Sequence, residues 1–208
     1  MIFTYWLCRP TSSVAQRSGK SRSEHLNRFT LLQIIEGGYG MNAAISGLRL
    51  PIDRLKHPFH HRALECWNGR RGTKSMPLAR EIFPKYSEAL RPNALLIGVE
   101  YDPVSFRYRY YGGATTGRRA WNLTRSTVHE LPPAGLGALL HEQFREVVEA
   151  ARPCLHTVSL ATDFLHVEYD RLTLPASDDE KCISALLAVT VFKTMISGEL
   201  IAVKSNRA

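Results

Sequence analysis

Cysteine is scarce in this 208-residue chain: there are four, at Cys8, Cys66, Cys154 and Cys182, with no CxxC and no repeated spacing. That excludes a disulfide scaffold and leaves thiols expected to be reduced and mostly packed. Fourteen glycines and eleven prolines are too few for a collagen-like chain. Long hydrophobic runs are missing too. The longest, Ile183 to Phe192, has ten residues and includes Ser184 and Thr190. A membrane-spanning helix needs about 20, so no span is expected. The opening MIFTYWLCRP has no basic leading region of the kind a secretory signal carries, and a cytoplasmic protein is the expectation. No GxSxG elbow or other nucleophile motif organises the Ser, His and Asp residues, so no catalysis is expected.

What is present is an ordinary apolar fraction of 44%, enough for a sizeable core, and a basic excess. Lys plus Arg number 27 against 19 Asp plus Glu, a net charge of +8. Such a balance favours acidic partners. Residues 1–40 hold five Lys/Arg and two Asp/Glu, leaving 22 against 17, or +5, for 41–208. Composition divides the chain near this point. Residues 10–25 are rich in Ser and Arg and read as disorder. Glu36-Gly37-Gly38 is encodable as a purine-rich ribosome-binding sequence, with Tyr39-Gly40 as spacer before Met41. Residues 1–40 are therefore expected to be either a disordered arm or read-through of upstream DNA. GGYG alone is a weak phosphate-loop signal, since no GK[ST] follows.

From Ile52 the pattern Ile52, Leu55, Phe59, Ala63, Leu64, Trp67 predicts an amphipathic helix over 52–71, with Pro58 in its first turn or at a break. The stretch 41–72 is thus a leading helix region. A short helix bracketed by prolines is expected over 76–84 and a second short piece over 87–90. After Pro92 the period becomes extended. Strands are predicted over 94–101 and 105–111, joined through Asp102-Pro103 as an antiparallel hairpin. Residues 114–131 read as short helical turns and loops. Leu136 to Ala151 is the clearest helix, and strands follow over 154–161, 165–174 and 183–194, with a polar loop at 175–181. The last strand is apolar on both faces, which suits a central position. Residues 196–208 form a tail. The simplest architecture is α+β: a five-stranded antiparallel sheet with helices on one face.

Three stretches carry a family likeness. They are Trp67-Asn68-Gly69-Arg70-Arg71-Gly72 with Met76-Pro77 and Arg80; Phe106-Arg107-Tyr108-Arg109 with Gly112; and Tyr169-Asp170-Arg171-Leu172-Thr173-Leu174-Pro175 with Ser177-Asp178-Asp179. Over residues 60–195 the chain resembles the bacterial family of short cytosolic proteins built as a helix followed by a single PAS domain. It departs from the family pattern at Gly113, where Thr or Ser is usual, and at Asn122-Leu123-Thr124-Arg125, which lacks an acidic residue and a glycine. The resemblance implies a PAS-like domain over 73–195, a helical cradle on one sheet face, and signal sensing or protein interaction without a shared cofactor.

By that resemblance the ligand-pocket candidates are Ile97, Phe106, Tyr108, Tyr110, Leu139, Phe144, Leu187 and Val189, with Leu95 or Leu96 beside them. The plainer account is that these side chains fill the core, each contributing about 1.5–3 kcal/mol on burial. Arg107, Arg109, Arg118 and Arg119, interleaved with Tyr108, Tyr110, Tyr111 and Trp121, form a basic face. The hairpin at 105–125 is the alternative, a nucleic-acid-binding surface, set against a solvated face in which Arg pairs with Glu100 or Asp102. His57, His60, His61 and Cys66 resemble metal ligands without advertising a full set, and no metal is expected. His141 on the long helix offers a haem ligand only as an alternative to no cofactor. No Asn-Cys-Arg-Phe photoadduct motif occurs. Asp170 and Arg171 read as a hydrogen-bonded pair. The expected partners are a second copy, meeting through the leading helix, or a signalling protein, with an unknown small molecule as ligand and nucleic acid not favoured.

Overall fold

The structure is a computed structural model that describes residues 43–82, 89–113, 123–131, 133–162 and 165–197. The expectations for residues 1–40 and for Arg118, Arg119 and Trp121 lie outside the described residues. Six strands form one open sheet: β1 (Ala44–Leu50), β2 (Ala94–Glu100), β3 (Ser105–Tyr111), β4 (Cys154–Ala161), β5 (Leu165–Ser177) and β6 (Ile183–Ser197). Their order is β1-β4-β5-β6-β2-β3, and every pairing is antiparallel. β6 lies between β5 and β2, as its two apolar faces require.

The sheet has six strands rather than the expected five. β1 comes from the stretch read as part of a leading helix region, and it pairs with β4 from Ala44↔Ala161 to Leu50↔Leu155. Its sequence AISGLRL carries no regular alternation, because it is an edge strand and Leu48 is 63% exposed. Backbone pairing with β4 holds it, so side-chain periodicity has little to report.

Helices cover both faces of the sheet, not one. Residues across an antiparallel ladder share a face, so Arg171 lies with His156 and Thr190, while Leu172 lies with Leu155 and Val189 on the other side. α1 (Pro58–Arg71) packs on β5 and β6 over the Leu172 face. It starts at residue 58, because Pro58 takes the first helical position and His57 Nδ1 accepts the Phe59 N–H at 3.2 Å; residues 52–54 make only a 3-10 turn. Its inward side is His60, Ala63 and Trp67, with the indole N–H donating to the Pro175 carbonyl at 2.7 Å. α2 (Ala79–Ile82) is one turn beside the parallel bridge between Leu78 and Ser177. α3 (Ala134–Ala150) covers the opposite, Arg171 face with Leu136, Leu140, Phe144 and Val147. Both leucine-rich and polar faces of the β5–β6 centre are consequently buried.

β5 runs three residues further than expected, to Ser177, and the reversal is held by Asp179. Its carboxylate accepts the N–H groups of Lys181 and Cys182, each at 2.9 Å, and the Ser177 hydroxyl. Those donors, backbone first, hold the acid down to about 2.

Candidate functional site

The alternation of β5 decides which of its residues matter. Tyr169, Arg171 and Thr173 point to the α3 face, and Asp170, Leu172 and Leu174 to the α1 face. The expected Asp170–Arg171 pair therefore does not form. Asp170 instead accepts from the Thr157 hydroxyl and from Lys193 at 2.7 Å on the half-buried outer face. Arg171 is 1% exposed, among the largest fully buried side chains. Its guanidinium donates to Gln143 of α3 and lies 4.5 Å from the centre of the Phe144 ring.

A polar row surrounds it on the same face. Thr173 is two residues along β5, and Thr190 and His156 stand opposite Arg171 on the neighbouring strands. Thr173 Oγ1, Thr190 Oγ1 and His156 Nδ1 are buried without a hydrogen-bond partner among the described residues. His156 Nε2–H donates to Glu146 of α3 at 2.8 Å, and Glu146 also takes Arg49 of β1. Burial lowers the His156 pKa and the charge of Arg171 adds to that, while Glu146 opposes both. Burial alone would raise the Glu146 pKa, but its bonds to His156 and Arg49 bring it below the ordinary value. The pair is therefore a neutral imidazole donating to a carboxylate, with Nδ1 left as a buried acceptor.

Of the pocket candidates, Ile97, Phe106, Tyr108 and Phe144 do converge on this face, with the Phe106 and Phe144 rings 5.5 Å apart. Leu139 projects from α3 towards Gly47 of β1. Tyr110, Leu187 and Val189 belong to the other face. A bulge after Leu96 pairs Tyr110 with Leu96 but Tyr108 with Ile97, so two tyrosines spaced by two no longer share a side, and Tyr111 is the one turned inward. On β6 the inward residues are Leu186, Ala188 and Thr190; a strand apolar on both faces does not announce which set is inner. Leu95 is inward and Leu96 outward.

Of the basic hairpin, the described arginines Arg107 and Arg109 are exposed on the outer side of β3. Arg107 pairs with Glu100 at 3.0 Å and donates to the Arg125 carbonyl, and Arg109 lies across Gly98. His141 is engaged structurally: Nε2–H donates to the Val104 carbonyl at 3.1 Å. His61 donates to the Leu55 carbonyl and His60 to that of Val189, so the α1 histidines serve packing and capping. Among the described residues no three His, Cys, Asp or Glu side chains converge as a metal site. No described helix is long and apolar enough to cross a membrane.

The fold and this face define an α+β protein whose sheet carries a buried cationic and hydroxyl row beneath a long helix. No family model, no curated protein and no solved structure matches the chain.

Proposed function

We propose that the chain is a cytosolic PAS-type sensory or interaction module, in which a small molecule on the α3 face alters contacts with a partner protein. The single observation that carries this reading is the buried row of Arg171, Thr173 and Thr190. A core built for stability alone avoids unpartnered hydroxyls, since each costs about 1–3 kcal/mol. Retaining two of them beside a guanidinium makes sense where a polar ligand completes their bonds. The element order supports the same reading: two strands, a helical connection ending in α3, then three strands, all within one antiparallel sheet.

Native mass spectrometry of the full chain purified from its own host tests the proposal. The expected result is a bound small molecule that is lost in the double variant Thr173→Val, Thr190→Val. The same variant, freed of two unpartnered hydroxyls, is expected to unfold at higher urea than the ligand-free parent, by about 1 kcal/mol or more. A parent with no bound small molecule, together with a variant no more stable than it, removes the basis of the reading.

A further inference from the structure

A second site lies away from the buried row, at the end of the sheet where β1 and β4 stop pairing. The ladder ends at Leu50↔Leu155. Immediately beyond it Pro51 leaves β1 and Pro153 enters β4, and neither has an N–H to extend the pairing. Ala151, in the left-handed conformation with φ 48°, turns the end of α3 into the Arg152-Pro153 link. The two chain segments therefore splay apart. Between them is a cleft of about 400 Å³, within the range of small-molecule sites.

Its lining is of two kinds. Leu50, Pro51, Pro153 and Leu155 make apolar walls, and Arg49 and Arg152 supply guanidinium groups. Arg49 and Arg152 line the same cleft as Cys154, and the charge of each is felt at its thiol. Among the described residues the opposing charge felt there is Glu146, and its carboxylate is already divided between Arg49 and His156. Two cations against one shared anion leave the cleft with an unmatched positive charge beside apolar surface. Arginine in pairs is suited to holding a carboxylate through parallel N–H bonds.

We propose that this cleft binds a small amphipathic carboxylic acid, its carboxylate held between Arg49 and Arg152 and its apolar body against Pro51, Pro153 and Leu155. The site is separate from the Arg171 row and stands whether or not that row binds a ligand. Glu146 connects the two, since it bonds Arg49 at the cleft and His156 next to Arg171. A carboxylate that engages Arg49 competes with Glu146 for the same guanidinium.

Titration of the full-length, isotope-labelled protein with octanoate, octanol and inorganic phosphate, followed by NMR, tests this. Octanoate is expected to give saturable shifts at residues 50–52 and 152–155. Octanol and phosphate are each expected to bind about ten-fold more weakly or worse, because each lacks half of the chemistry. Arg152→Gln, an exposed position, is expected to weaken octanoate by about ten-fold with the unfolding midpoint unchanged, and Arg49→Gln to weaken it similarly while lowering the midpoint, because it also removes the Glu146 ion pair. Octanol binding as tightly as octanoate reduces the cleft to an apolar crevice, and phosphate binding equally well removes the amphipathic specificity. Octanoate shifts confined to α3 and the Arg171 row, or no saturable shifts at all, overturn the proposal while leaving the buried row untouched.

Discussion

At the scale of single residues, the chain hides a titratable group where its charge is most costly. His60 is 1% exposed under α1, and burial takes its pKa from 6.5 down to about 4, although its bond to the Val189 carbonyl pulls the other way. The unfolded chain therefore takes up a proton between pH 6.5 and about 4 that the folded chain refuses. Stability falls as pH drops through that window, by about 3 kcal/mol from this one group, and is unaffected by it above 6.5. His156, also lowered by burial, adds in the same direction. Urea unfolding at a series of pH values should show a shallower decline for His60→Gln than for the parent; equal slopes would contradict the assignment. The buried guanidinium was less legible than the histidines. Arg171 sits next to Asp170 in the chain, and adjacency suggests a pair. In a strand, adjacency separates two residues across the sheet. The readable signal was the alternation of Tyr169, Arg171 and Thr173 against Leu172 and Leu174, which places a cation on an inward row.

Elements were legible where their periodicity is enforced by burial. β3 and β4 begin and end where the alternation does, and α3 exceeds its apolar span by two residues at the start. β1 was invisible because most of its side chains are exposed and only Ile45 and Leu50 touch the core, and Tyr110 was misplaced because a bulge has no composition of its own. Close approach of elements is equally silent in the sequence, and Gly137 of α3 shows its consequence. A glycine inside an exposed helix costs about 1 kcal/mol relative to alanine, so Gly→Ala there normally stabilises. Here a Cβ would stand 2.7 Å from the Val128 carbonyl and 3.2 Å from the His129 backbone, in the 3-10 turn capped by Thr127 and Glu130. Backbone cannot rotate aside as a side chain can, so the helix must lift from the turn. Gly137→Ala is expected to destabilise by about 1–3 kcal/mol, opposite in sign to the propensity effect. A thermal midpoint at or above the parent's would show that the turn gives way without cost.

For the whole molecule the question is how much of the chain the fold needs. The buried core extends from Leu55 to Val189, with Ile45 and Leu50 of β1 packed against its margin. Every described core residue thus follows Met41, and the first paired residue of the sheet is Ala44. A chain beginning at Met41 keeps β1, both covering helices and the β1–β4 cleft. Its unfolding midpoint is expected to lie within about 2 °C of the full chain, the shift given by less than 1 kcal/mol in a protein of this size. Removing residues 1–51 is a different operation. It strips β1 from β4, leaves the backbone groups of Thr157 and its neighbours open along a new edge, and takes away Arg49, one of the two ligands of the Glu146 carboxylate. That truncation is expected to unfold several degrees lower and to self-associate, because an uncovered edge strand recruits another. Calorimetry and light scattering on the two truncations compare these outcomes directly. A chain starting at Met41 that unfolds well below the parent would show residues 1–40 packing on the domain, and the basic charge they carry would then belong to the folded surface.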